Sequence, residues 1–547
     1  MNVGFRFLSS RASVTRFGVA MAANETSNIA PGPYAGWTRD KLIERLVELD
    51  GHSITEERTT DKSTTPKTSI LPMKKIQNNA FDFSKYARRK IALKFCYSGW
   101  EYGGLAFQLG PTPLPTVENV LFDAMAKAHL VDASGGFEAC GWEKCGRTDR
   151  GVSAAGQVVS LWIRSAFPPE RENETIPESK TTSDDPESKE DDSRELVDDF
   201  GSLSMAQEPS SNTSAPKPKR PSEQVELDYV TMLNRILPDT IRIIAWSPVS
   251  TDFSARFSCK YRHYKYFFSS LHLDIPLMKA AAERLVGEHD FRNLCKLDAQ
   301  KQITSFKRKI SRASITPLES NDSENGRMYV FDLVGSAFLY HQVRHIMSTL
   351  FLVGSGLEPP SMITELMNVA EGEEPLREGD SSYSIVASKP EYQMADALPL
   401  MLWDCAYDEA ELDWRITGRL NQNVTDNAAG ELHHQMQSIY TRSRVFTVLD
   451  QHFAMAVARH HPPPPSIFPL ADGPDELAQL MQKPPRERVM NVPLGGGTFK
   501  RLMKYVPVLQ RKRLDTVEAM NERWRLGKGA RKGEKQKVED REEDGNE

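Results

Sequence analysis

Residues 145–153 read Cys145-Gly146-Arg147-Thr148-Asp149-Arg150-Gly151-Val152-Ser153. Two glycines bracket an aspartate that has one arginine directly after it and another two positions before it. Glycine at such places admits turn conformations closed to residues with a Cβ. The segment therefore reads as a tight loop, followed by a strand at 157–163. The cationic neighbours favour an ionised carboxylate through Coulomb attraction and charge-assisted hydrogen bonds. Such a carboxylate in a pocket is a candidate nucleophile, and arginines beside it suit the phosphates of a polyanion. By pattern alone the same residues also describe a surface ion pair, and both readings stand at this point.

Outward from this loop the chain alternates in period. Residues 90–97 have the β-branched and aromatic mix of a buried strand. Thr116 is placed to cap a helix marked by Val117, Leu121 and Met125, with Val120 and Ala124 beside them. The stretch 168–222 is acidic and rich in Ser and Pro and cannot bury enough apolar surface to fold, so it is an insertion. Order resumes with a helix at 227–237 and a strand at 241–246. At 260–268 bulky and basic residues alternate, as in a strand with one face on the core and one on a ligand. A helix at 276–286, a strand at 328–334, a long helix at 338–353 and a strand at 400–406 complete the core. Mixed order without strict βαβ alternation predicts an α+β fold with a largely antiparallel sheet. The divisions that follow are 1–85 (leader and linker, with a short helix at 39–49), 86–167 and 223–410 (two halves of one core), 168–222 (insertion) and 411–547 (a C-terminal extension with a proline run at 462–465 and a glycine break at 495–497).

The net charge of −6 over 547 residues argues against a nucleic-acid partner only until it is located along the chain. Residues 170–199 hold 13 acidic and 4 basic side chains, and without them the balance is +3; residues 500–532 hold 11 basic and 3 acidic. The average thus conceals an acidic insert and a basic tail. Six cysteines in so long a chain make no disulfide framework. Cys140 and Cys145, the closest pair, have no second pair at metal-ligand spacing, so ordinary thiols in a reducing compartment are the simplest reading. No apolar run approaches the roughly 20 residues that span a bilayer. Arg6, Arg11 and Arg16 among Phe5, Phe7, Leu8 and serines, with no acid before Glu25, have the composition of a mitochondrial transit peptide. The alternative is an untargeted terminus on a protein of the cytoplasm or nucleus.

The loop around Asp149 has companions. Gly146-Arg-Thr-Asp149-Arg-Gly-Val-Ser-Ala154, followed by Gly156-Gln-Val-Val159, resembles the signature of TruA-type pseudouridine synthases, in which the aspartate is the essential residue. Tyr97-Ser-Gly-Trp100-Glu-Tyr-Gly-Gly104-Leu-Ala-Phe-Gln108 resembles the family's opening loop. Asp252-Phe-Ser-Ala-Arg256-Phe-Ser258 with Arg262-His-Tyr264-Lys-Tyr266 is similar to its central motif, Phe338-Leu-Tyr-His341-Gln-Val-Arg344 to its late helix motif, and Pro399-Leu400-Met-Leu402 to its closing strand. Phe81-Asp-Phe-Ser-Lys-Tyr86 and His289-Asp-Phe-Arg-Asn-Leu-Cys295-Lys296 resemble the eukaryotic branch that acts on tRNA positions 38 and 39.

The resemblance implies the family's fold: two mixed or antiparallel-sheet halves with flanking helices around a central basic cleft. It implies a tRNA partner, no membrane and a homodimer. Uridine and pseudouridine contain the same atoms, so no cofactor is needed. Asp149 is then the catalytic carboxylate and Arg344 its ionic partner, while Tyr264 stacks on the flipped uracil and receives the C5 proton. Arg147 and Arg150 bind phosphate or ribose beside the target or wedge into the vacated space. Arg256 serves the RNA or braces the fold, and Leu400 forms part of an apolar wall. His341 is set aside as a helix residue near the pocket. The basic tail extends the grip on phosphate or is simply a solvated terminus. Two other functions stay open: a tRNA-binding chaperone without catalysis, and a sibling synthase acting at other tRNA uridines.

Overall fold

The computed structural model describes residues 81–108, 110, 112–167, 225–318, 326–418, 427–461, 482 and 490–529, with the backbone alone at 427–429 and 528–529. The leader, the helix expected at 39–49 and the acidic insertion lie outside the described residues. Three strands and a helix open the core: β1 (Ala87–Tyr97), α1 (Val117–Lys127), β2 (Glu143–Lys144) and β3 (Ser153–Ser165). After a short α2 (Tyr229–Asn234) come β4 (Ile241–Pro248), β5 (Tyr261–Ser269), α3 (Ile275–Glu283), β6 (Gly287–Asp290), β7 (Lys307–Pro317) and β8 (Met328–Gly335). Helices α4 (Gln342–Gly354) and α5 (Ser361–Met367) precede β9 (Leu400–Ala406).

These nine strands form one sheet in the order β4-β1-β3-β9-β5-β8-β7-β6, with β2 beside β3. Every pairing is antiparallel except β3 with β9, which is parallel. The fold is therefore mixed α+β, with helices flanking a sheet. Thr116 caps α1 by accepting from the Asn119 amide at 3.3 Å. Val117, Leu121 and Met125, one stripe of that helix, are fully buried. They share a core with Ile91, Leu93 and Phe95 of β1 and with Tyr229 and Trp246. A second core gathers Met278 of α3, Phe331 of β8, and Ile346, Leu350 and Phe351 of α4. Burying each such side chain contributes about 1.5–3 kcal/mol. Tyr264 packs against both cores, which places it at the seam between them.

Several features depart from the sequence expectation. The helix anticipated over 338–353 begins only at Gln342, because His341 adopts a left-handed conformation with φ 60°. The Gln342 side chain accepts from the Leu339 amide at 2.8 Å and closes the preceding turn. The eleven-residue strand β7 was not anticipated, nor was the long helix α6 (Asn427–Ala458). The glycine break at 495–497 is the turn of a hairpin between β10 (Met490–Gly495) and β11 (Thr498–Leu502), with φ of 86°, 59° and 75° at its three glycines. Met490, Val492, Tyr505, Val508 and Val517 from this segment are buried in the second core. Among the described residues no helix is long and apolar enough to cross a membrane.

Candidate active site

The Asp149 loop is fastened from behind. Its turn closes through the Val152 amide donating to the Asp149 carbonyl at 3.1 Å, with Gly151 at φ 85°. The Tyr97 hydroxyl lies 2.6 Å from Thr148 Oγ1, and the Leu105 amide donates to the Thr148 carbonyl at 3.2 Å. A Cβ on Gly104, at φ 113°, would stand 3.2 Å from that carbonyl and 3.3 Å from the Arg150 nitrogen. Glycine there lets the two loops meet.

The start of α4 supplies the partners of the carboxylate. Arg344 Nη1 lies 3.6 Å from Asp149 Oδ2, and its Nε donates to the Ala395 carbonyl at 2.9 Å. His341 Nε2 is nearer, 3.2 Å from the same oxygen, with its side chain only 9 % exposed. His341 Nδ1 is buried with no hydrogen-bond partner. Of its two ring nitrogens, Nε2 is the one that faces the Asp149 carboxylate. His341 is thus a member of the site that the sequence reading set aside. Its signal was positional: a residue just ahead of a helix shares a face with the one three places later, here Arg344.

Asp149, Arg147, Arg150, Arg256, Tyr264, Arg344 and Leu400 all line one open cleft of about 1580 Å³. Arg147, Arg150 and Arg256 are exposed and form no ion pair among the described residues. Leu400 is buried at the floor. The Tyr264 ring meets Phe338 edge to face at 4.9 Å. Burial pushes its phenol up, and nearby Cys405, Cys145 and Asp149 add to the effect.

Arg262 was also missed, although it stands in the central motif. Its guanidinium ties three walls of the cleft together, donating to the carbonyls of Cys145 at 3.1 Å, Arg256 at 2.7 Å and Ser336 at 2.8 Å. Cys145 has Cys259 and Cys405 as neighbours, all three being free thiols. Interaction with Cys259 and Cys405, and the charge of Arg262, hold the Cys145 thiol well below the usual range, while Cys145 pushes Cys259 up to about 12; the Cys259 thiol itself donates to the Tyr261 carbonyl at 3.3 Å.

A profile of the family described as "tRNA pseudouridine synthase" matches residues 281–408, taking in His341, Arg344 and Leu400 but not Asp149. The Saccharomyces cerevisiae tRNA pseudouridine(38/39) synthase is 38 % identical over 397 residues, 70 % of this chain and 73 % of that protein. The Homo sapiens protein of the same name is 36 % identical over 379 residues, 68 % of this chain and 67 % of its own length. The tRNA pseudouridine synthase A of Methanothrix thermoacetophila is 28 % identical over 338 residues, 61 % of this chain and 89 % of that protein. The chain belongs to the TruA-like tRNA pseudouridine synthases, a family of isomerases. Within that family the higher identities place it with the eukaryotic pseudouridine(38/39) synthase branch.

Proposed function

We propose that this enzyme converts uridine to pseudouridine in the anticodon stem-loop of tRNA, at position 38, position 39 or both, with Asp149 as its catalytic carboxylate. The observation that carries the reading is the Asp149 carboxylate, met by Arg344 and His341 in a cleft whose walls present unpaired arginines. The branch name borne by the similar proteins supports the positions. The reaction breaks the bond from ribose C1′ to uracil N1 and forms one from C1′ to C5; the C5 proton is lost and N1 gains one, so no cofactor is required. The target base must leave the stack to react.

Asp149 acts at the sugar, either as nucleophile at C1′ or as the base that opens a glycal route. Arg344 and His341 keep the carboxylate aimed. Tyr264, at the seam of the two cores, stacks on the extruded uracil and is placed to handle the C5 proton. Burial keeps its phenol protonated at the outset, so proton uptake requires that it pass its own proton on first. Arg147, Arg150 and Arg256 bind phosphate and ribose, and Leu400 backs the base. The cleft serves as the basic tRNA face between two halves of the core. The tail after Lys500 adds phosphate contacts, which makes binding salt-dependent, and a homodimer would let two clefts share one tRNA.

The test is incubation with unmodified tRNAs bearing uridine at 38 or 39, read by carbodiimide-blocked primer extension. Stops at those positions that vanish with Asp149→Ala are expected, with tRNA binding retained. Activity surviving in Asp149→Ala refutes the role of the carboxylate, and stops elsewhere refute the positions.

A further inference from the structure

The most exposed large hydrophobic side chain among the described residues is Phe257, 78 % exposed, and it lies in the wall of the cleft that holds Asp149. An exposed apolar residue is ordinary when it is scattered on a surface. Phe257 instead sits on a turn that is held from every side. Its amide donates to Ser254 Oγ at 3.2 Å, and the Ser254 amide donates to Ser258 Oγ at 3.2 Å. Ala255, wholly buried, donates its amide to Ser160 Oγ at 3.1 Å and accepts from the Tyr407 hydroxyl at 2.7 Å. Arg262 grips the Arg256 carbonyl of the same turn. Phe253, four residues earlier, is buried. The chain thus anchors one phenylalanine inward and holds the other rigidly in the open.

The Arg256 guanidinium lies over the Phe257 ring at 5.1 Å. No other ring or cation among the described residues meets it. Tyr340, another exposed aromatic of the cleft, is already engaged by Lys296 at 5.3 Å, Lys301 at 4.6 Å and the His341 ring at 3.8 Å. A rigid, open aromatic face paired with an arginine is the arrangement by which proteins hold unpaired nucleobases, since every base has a π face and a phosphate nearby.

We propose that Phe257, with Arg256 beside it, is a stacking subsite for the base of a nucleotide flanking the flipped uridine. When the target leaves the stack, its neighbour loses a partner. Phe257 replaces that partner and lowers the cost of flipping, and Arg256 meets the adjoining phosphate. The inference rests on the proposed RNA substrate.

The experiment uses the full-length protein and an anticodon stem-loop RNA carrying 2-aminopurine on the 5′ or the 3′ side of the target uridine. Stacking on the ring quenches the reporter. With wild type and Phe257→Trp, one of the two reporters is expected to be quenched. With Phe257→Ala and Phe257→Leu that reporter should brighten several-fold, and KM should rise on the order of 10-fold while the loss in kcat stays small. Equal quenching in wild type and Phe257→Leu, or a loss confined to kcat, overturns the proposal. Failure of the wild type to form pseudouridine in this RNA overturns the functional reading alone, because the fluorescence still decides the stacking.

Discussion

At the scale of single residues, the site turns on one backbone choice. His341 is a non-glycine residue at φ 60°, a conformation that costs roughly 1–2 kcal/mol for a side chain with a Cβ. The strain brings the imidazole to 3.2 Å from Asp149. His341→Gly separates the two effects. It relieves roughly 1 kcal/mol of strain, so thermal stability should hold or rise, while loss of the imidazole that packs beside Asp149 should lower kcat on the order of 10–100-fold. Calorimetry and single-turnover assays check the pair; a fall in stability with unchanged kcat contradicts it. The motif containing His341 was legible in sequence, but its left-handed turn was not. Apolar spacing runs unbroken through Phe338 and Leu339 and suggests an earlier helix start, and only the packing of the Gln342 side chain back onto the turn decides otherwise.

At the scale of elements, α4 has two working faces. One presents His341 and Arg344 to Asp149, while His345 turns to the buried Lys389, whose Nζ lies 3.2 Å from the imidazole Nε2. Burial pushes His345 down to about 2, with the charges of Lys389, Arg344 and Lys296 adding to the effect, and burial pushes Lys389 down to about 8. The unfolded chain takes a proton at His345 below about 6.5, whereas the folded chain refuses it until near 2. Stability should therefore fall as pH drops through that window, by at most about 1.4 kcal/mol per unit from this residue. His345→Phe should flatten the slope, as measured by denaturant unfolding between pH 7 and pH 4; an unchanged slope excludes the mechanism. Elements with both faces covered, such as β1 and α4, were legible because their apolar periods are nearly complete. Strand β7 was not. Only Ile310, Ala313 and Ile315 of its eleven residues are buried, and a bulge between Ile310 and Arg312 breaks the alternation.

At the scale of the whole molecule, the C-terminal segment closes onto the core. The Tyr505 hydroxyl and the Val508 amide both donate to Glu358, a carboxylate that burial raises even though those bonds pull the other way. Tyr505→Phe removes a donor to a buried charge and should cost about 1.5–3 kcal/mol, seen as a lower Tm with tRNA binding largely retained. An unchanged Tm means that the hydrogen bond from Tyr505 to Glu358 contributes nothing to the docking of 490–529. Sequence by itself determined the α+β class, the order of most core elements and the family, because these depend on local periodicity and on short contiguous motifs. It also nominated seven of the residues that line the cleft. Tertiary structure alone decided that the nine strands make one sheet joined by a single parallel pairing, that Asp149 meets His341 as well as Arg344, and that Arg262 binds three loops. Those facts rest on contacts between residues far apart along the chain, such as Asp149 with Arg344 and Ser153 with Met401, and nothing in the local pattern of a segment encodes which distant segment will cover it.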